Sequence, residues 1–474
     1  MPSKFFGLRT VAGRVRALTA LVLLALAVLL TVLAVGVVDA REGLRALGHR
    51  EGPMVVATSD MYLALSDMDA QVTNVLLTGG EDGWLCDPDD EKQHCERSGE
   101  RYVYDIRRED AQRAALKAVL LARDDLKRQG TVQSVLDGLH AYDQNVQAAM
   151  ESGRLRAGPQ GPLPAEGIRR YRAATALMTG DLLPKAYNLT LDGAGDVDTA
   201  YRDEHSAVRA GWFRVLGAGI ALLAALGALQ VYLARRFRRL LSLPLAAALA
   251  GALVLTVAGA SLLATEADHM RAAKTGGFDP TLTLTRARAI GKGLDTDRAR
   301  QLLDPGQADR YDQMYLDKAQ TILYIEGATS LTDYYRELDR RVAGAGRGGR
   351  PVDFGGFYGT RARLAAGDAG ALLASYRRYQ DHDEAVRGLA ERGDRAAAVQ
   401  AHLDPRWAPL PHPMFRAHDQ ELDARITHRD FLRARGVADG DRALDPWTWL
   451  PPAAALAIAA LIVAGVWPRL SEYR

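Results

Sequence analysis

The chain has 474 residues, a net charge of +2 and 25% charged residues. That near-neutral balance, with aromatics at 7% and no basic patch interleaved with them, excludes a nucleic-acid-binding surface. Apolar residues make up 48% but collect in four charge-free blocks, which excludes an ordinary soluble globular chain.

Residues 1–16 carry Lys4, Arg9, Arg14 and Arg16 and lead into the first charge-free run, 17–38. A cleavable signal peptide has an apolar core of about 7–15 residues, so a retained signal anchor is expected, with cleavage before Asp39 as the alternative. The basic flank predicts a cytoplasmic N-terminus.

The first polar region, 39–214, has helical spacing. Met61, Leu65, Met68, Val72 and Val75 recur at steps of four and three, and Asp60, Asp67 and Asn74 mark another face at steps of seven. Gly79 and Gly80 stop this helix, and a polar loop holding Cys86 and Cys95 follows. On an exported domain such a pair is expected to form a disulfide, whereas a metal site would need two more ligands. A second helix is predicted over 101–127, with Gly130 as its breaker, and a third from Thr131 to Gly153. A fourth starts near Glu166, is interrupted near Pro184 or Gly193–Gly195, and returns to the membrane. Four such helices describe an up-down-up-down bundle.

Two charge-free runs, 215–234 and 240–264, flank a turn at 235–239 that holds Arg235, Arg236, Arg238 and Arg239. A run of about 20 apolar residues crosses the roughly 30 Å hydrocarbon core. The pair reads as a transmembrane hairpin with its arginine turn in the cytoplasm. The second polar region, 265–445, begins a helix at Asp279 and Pro280 and is punctuated at Pro305 and Gly306. It continues helically from Tyr311 to Arg341 and again over 361–403 with a break near Gly393. A Gly/Arg-rich loop is expected at 344–359. The last outer helix, 414–435, should turn Phe415, Leu422, Ile426 and Phe431 inward. Residues 446–467 form the fourth span, with Trp447, Trp449 and Trp467 as interfacial aromatics and a cytoplasmic end at 468–474.

The two halves are alike. Glu100, Arg101 and Tyr102 precede Ala111 and Gln112 much as Asp309, Arg310 and Tyr311 precede Ala319 and Gln320, which predicts an internal duplication with the cysteine loop inserted in the first copy. Chance similarity between helical sequences is the alternative.

No P-loop, nucleophile elbow or zincin helix is present, and no catalytic residue, cofactor or metal site is expected. Of His402, His412, His418 and His428, only the last two share a predicted helix, and the group reads as solvated surface histidines. The spans hold no ionisable residue at mid-depth, which disfavours a pump or coupled transporter. Gly217, Gly219, Gly227 and Gly251 allow close helix packing. The cytoplasmic pieces are too short for a catalytic domain, so function is expected in what the outer regions bind. Asp60, Asp67, Asp69, Arg101 and Tyr102 are the candidate contacts for an amino acid or protein partner, against the alternative of a solvated face with a packing tyrosine.

The stretches LALSDMDAQVTNVLLTGG (63–80), ERYVYDI (100–106), LLDPGQADRYDQMYLDKAQ (302–320) and VWPRLSEYR (466–474) resemble the actinobacterial GlnX-like four-span membrane proteins. The resemblance covers most of the chain and implies two outward helical domains without an enzymatic part. It further implies an extracytoplasmic solute-binding lipoprotein of the glutamine/aspartate type as partner and a soluble serine/threonine kinase of the kinase G kind, relaying amino-acid availability inward. The Cys86–Cys95 insertion departs from that pattern and puts the identity of the outer partner in doubt.

The expected protein is therefore an all-α membrane protein in the plasma membrane, with four transmembrane helices and two extracytoplasmic four-helix-bundle-like domains. Its expected function is that of a non-enzymatic sensor and transducer. The alternatives are a scaffolding envelope protein and an accessory subunit of a transport system. A homo-oligomer is compatible with the sequence.

Overall fold

A computed structural model describes residues 11–78, 82–86, 95–122, 125–155, 162–237, 242–348, 355–359, 366–403 and 412–471. The chain is helical almost throughout, as its Ala- and Leu-rich composition favours. The first segment contains α1 (Val11–Arg45), α2 (Glu51–Thr78), α3 (Glu100–Leu121), α4 (Leu126–Gly153) and α5 (Ala165–Leu177). Next come α6 (Leu183–Phe237), α7 (Leu243–Arg271), α8 (Asp279–Leu303), α9 (Ala308–Ile322) and α10 (Leu331–Gly348). The last four are α11 (Ala366–Glu391), α12 (Arg395–His402), α13 (Pro413–Leu444) and α14 (Leu450–Ser471). One small antiparallel ladder, β1 (Asp82–Cys86) with β2 (Cys95–Gly99), joins α2 to α3.

Several boundaries differ from the sequence expectation for physical reasons. Gly130 does not break a helix and lies inside α4. The break falls earlier, where the Asp125 side chain accepts a hydrogen bond from the Arg128 backbone N–H at 3.0 Å and starts α4. Neither Pro184 nor Gly193 and Gly195 interrupt α6. A π turn at Met178–Leu182 ends just before Pro184, so the proline's missing N–H falls where the helical ladder is already out of register. Two further π turns, Ala46–Arg50 and Ala272–Phe278, separate α1 from α2 and α7 from α8. The run expected to continue from Tyr311 to Arg341 is divided between α9 and α10, with Gly327 at a φ of 86° in the connection. Helix α10 extends through Gly348, into the expected loop. Phe431 does not face inward and is 59% exposed, while Phe415 and Leu422 are buried.

The chain divides into two compact units. The apolar unit comprises Met1–Glu51, Asp196–Gly276 and Leu432–Arg474. Four helical stretches are long and apolar enough to cross a membrane, and each overlaps one of the four charge-free runs. In this unit α1 packs on α7 and α14, and α14 packs on α7. Leu29, Leu33, Val215, Leu222, Leu255 and Ile462 are among its buried residues. Leu24, Ile220, Val254 and Leu456 point outward and are exposed, as lipid-facing residues are. Of the small residues noted in the spans, Gly219 and Gly251 lie at close contacts, whereas Gly217 and Gly227 face open space.

The polar unit comprises Gly52–Gly195 and Gly277–Phe431, so both long polar segments form one body. Its main core joins Met61, Leu65, Met68, Val72 and Val75 of α2 to Val135, Leu139 and Tyr142 of α4. The same cluster takes in Leu302 and Leu303 of α8 and Val399 of α12 from the other segment. A second cluster lies within the later segment, around Tyr315, Tyr334, Tyr376 and Phe415.

A Cβ at position 219 would lie 2.1 Å from Thr256 Cγ2, and Thr256 is itself held by a 2.7 Å bond to the Ala252 carbonyl. Gly219→Val should therefore destabilise the apolar unit by about 1–3 kcal/mol through overpacking. Gly227→Ala, with nothing within 4 Å, should be nearly neutral. Thermal unfolding of both variants in one detergent checks this, and equal midpoints would count against the close contact.

Candidate functional site

Helices α2 and α8 each open one polar segment of the polar unit, and their charged residues meet in buried ion pairs. Asp67 of α2 lies 2.9 Å from Arg107 Nε of α3 and 3.3 Å from Lys292 Nζ of α8. Lys292 also lies 3.2 Å from Asp419 of α13, and its ammonium sits over the Phe415 ring. Arg288 grips Asp419 through Nε at 2.8 Å and Nη2 at 2.9 Å, and its Nη1 reaches Asp423. Burial opposes the charge on Lys292, but Asp67 and Asp419 outweigh it and raise its pKa. Burial likewise works against the Asp419 carboxylate, yet Arg288 and Lys292 bring it down to about 2.

A second chain of contacts runs alongside. Tyr142 OH donates to Asp69 Oδ1 at 3.0 Å, and Arg300 Nη2 binds Asp69 Oδ2. Arg300 Nη1 donates to Asp297 at 2.7 Å, and Lys318 donates to the other oxygen of Asp297 at 2.6 Å. The Arg300 and Asp69 side chains are 1% and 5% exposed, so this pair is fully desolvated. Arg172 of α5 makes a further bridge between the segments, a bidentate pair with Asp304 at 2.7 and 2.8 Å. Within the later segment, Arg298 holds Asp383 through Nε and Nη2, both at 2.8 Å, while Tyr335 OH donates to the same carboxylate.

Beside this seam lies a small group of buried atoms without hydrogen-bond partners among the described residues: Asp295 Oδ2, His402 Nε2 and Tyr379 OH. His402 Nε2 is 3.9 Å from Asp295 Oδ1. Burial pushes Asp295 up to about 8, even with Lys292 pulling the other way. Burial pushes His402 down to about 3. At neutral pH both are therefore uncharged, which is how a desolvated acid and imidazole avoid an unpaired charge.

The candidates read from the sequence scatter. Asp67 and Asp69 enter the buried seam, where cations of the protein itself occupy their carboxylates. Asp60 is half-exposed, 4.0 Å from Lys117. Arg101 and Tyr102 begin α3, and their side chains lie outside the described residues. The backbone ladder places Cys86 opposite Cys95, while their side chains too lie outside the described residues. Arg235 is exposed at the end of α6; the Arg236 side chain, Arg238 and Arg239 lie outside the described residues. The histidines are not uniformly solvated. His402 and His418 are buried, the latter between Ser375 Oγ at 2.9 Å and Tyr358 OH at 3.0 Å. His412 stacks on His382 with ring centroids 3.6 Å apart, and His428 is exposed.

Lys292, Asp295, Arg298 and Arg300 were missed from sequence. A signal was present: Asp295, Asp297, Arg298 and Arg300 cover a full helical turn between Leu294 and Leu302, so some of those charges must face the core.

Residues 43–202 match the family of actinobacterial sensor domains, which supports a sensory role. No curated protein and no solved structure matches the chain.

Removing one partner of a buried pair leaves the other charge uncompensated, at a cost of about 3–5 kcal/mol. Asp69→Leu and Arg300→Met should each destabilise the polar unit on that scale, and the double variant should recover most of the loss. A double-mutant cycle by denaturant unfolding measures it; strictly additive losses would refute the coupling.

The Asp295 carboxyl stays protonated to about pH 8 in the folded protein but ionises from about pH 4 in the unfolded chain. Its contribution to stability is therefore full below about pH 4 and is lost as pH rises through about 8. The thermal midpoint of Asp295→Asn should pull ahead of the wild type progressively between pH 5 and 8, with His402 common to both proteins. A gap independent of pH would contradict this.

Proposed function

We propose that the chain is a non-enzymatic membrane sensor and transducer. In this reading the polar unit lies outside the cell and binds a solute of the amino-acid class or the solute-binding protein that carries it. Its state passes inward through the four spans to the arginine turn at 235–239, which presents it to a cytoplasmic partner such as a serine/threonine kinase. Both chain ends are cytoplasmic.

The observation that carries this reading is the match of residues 43–202 to actinobacterial sensor domains, together with four helices apolar enough to span a membrane. The buried pair Asp69–Arg300, the half-buried pair Asp67–Lys292 and the more exposed Arg172–Asp304 bridge add support. They tie the two polar segments together, so a ligand that shifts one segment acts on both. An internal duplication is consistent with the repeated order of an apolar helix, a π turn and a charged helix, seen in α1–α2 and again in α7–α8.

The test is in-cell crosslinking of the tagged chain with and without added amino acids, followed by identification of the captured proteins. Capture of an extracytoplasmic solute-binding protein that changes with amino-acid supply is the expected result. Capture of envelope-assembly proteins alone, indifferent to supply, would replace this reading with a structural one.

A further inference from the structure

Three arginines of the polar unit bind an aspartate with the same edge of the guanidinium. Arg172 uses Nε and Nη2 on Asp304, Arg288 uses them on Asp419, and Arg298 uses them on Asp383. This fork geometry is the one that suits a planar carboxylate.

Arg286 of α8 is the exception. Its Nε and Nη2 are buried and have no hydrogen-bond partner among the described residues, and none of the described carboxylates bears on its charge. Its Cζ lies 5.4 Å from the centre of the Tyr187 ring. Tyr62 of α2 completes the surroundings, its ring 5.6 Å from that of Tyr187 and inclined at 57°. A cation–π contact offsets part of the cost of burying a guanidinium, but it does not satisfy the N–H groups of the edge. The two fully buried arginines, Arg298 and Arg300, are each paired with aspartates, whereas Arg286 faces two aromatic rings. The residue as a whole is only partly buried, although its Nε and Nη2 are covered.

We propose that Arg286, Tyr187 and Tyr62 form a binding site for the carboxylate of a small organic acid. The Nε–Nη2 edge takes the two oxygens, and the tyrosine rings take the adjoining apolar or cationic part of the ligand. A small acid fits better than an acidic side chain of a partner protein, because the donating edge is itself buried. The site adds a ligand chemistry to the sensor reading and rests on it only for biological meaning; binding does not depend on any relay.

The test uses the purified full-length chain in detergent, with thermal unfolding followed at constant ionic strength. Acetate, succinate and L-glutamate are the probes, and chloride and phosphate are the anion controls. At least one carboxylate should raise the wild-type midpoint saturably while the controls do not. Arg286→Lys, which keeps the charge but loses the fork, should weaken the response roughly tenfold or more, and Arg286→Gln should abolish it. Without ligand, Arg286→Gln should unfold at or above the wild-type midpoint, because it removes an unpaired buried cation.

The proposal is overturned if no carboxylate acts, if chloride or phosphate acts equally, or if Arg286→Gln responds like the wild type. It is also overturned if Arg286→Gln alone unfolds well below the wild type, since the guanidinium would then be structural. A carboxylate that binds through Arg286 yet leaves partner capture in cells unchanged would leave this site standing and count against the sensor reading.

Discussion

Buried charge pairing between α2 and α8 is the constraint on which the polar unit depends. Apolar burial drives two helical segments together but is non-directional, so it does not select one register. A desolvated pair such as Asp69 and Arg300 does select one, because any slip strands both charges in a medium that solvates them poorly. Asp67, Lys292, Asp419 and Arg288 extend the same logic across α2, α8 and α13. The seam is costly to build and costly to break, which gives a structure with discrete rather than graded alternatives. That property suits a body that must report a bound state, although it is also what any precisely registered bundle requires.

The apolar unit solves the opposite problem. The charge-free runs of its helices have no charges to register them, and a hydrocarbon surround offers little hydrophobic drive between spans. Close approach at small residues takes over: Gly219 against Thr256, Gly259 against Leu33, and Gly251 against Ile458. Polar ties supplement this packing: Arg41 donates to the Leu444 carbonyl at 3.1 Å and to Thr448 at 2.6 Å, and Lys274 pairs with Asp198 at 3.2 Å. Steric fit registers one unit, and electrostatic fit registers the other.

The protein also contains polar groups that its own residues leave unsatisfied. Asp295 and His402 resolve their burial by becoming neutral. Arg286 cannot do so, because a guanidinium holds its proton under all ordinary conditions. The two cases look similar as orphaned atoms but differ in consequence. The first is a titratable core pair, and the second is a permanent cation that attracts a carboxylate.

Much of the architecture was legible in the chain alone. The charge-free runs marked the four helices long and apolar enough to cross a membrane, because about 20 uncharged residues have few other uses. The apolar spacing of α2 and the break near Gly393 were equally plain, since periodicity and glycine act locally. Misplaced boundaries were local competitions that composition could not arbitrate, such as the Asp125 cap prevailing over Gly130 and a π turn accommodating Pro184. Sequence marked Asp67 and Asp69 as notable, but it offered them as contacts for a ligand. Only the tertiary structure revealed that Lys292 and Arg300, more than two hundred positions away along the chain, already hold them. The pairing of distant charges depends on which helix faces which, and no local pattern carries that. For the same reason the unpaired state of Arg286 was invisible in sequence: having no partner is a property of the assembled neighbourhood, not of the residue.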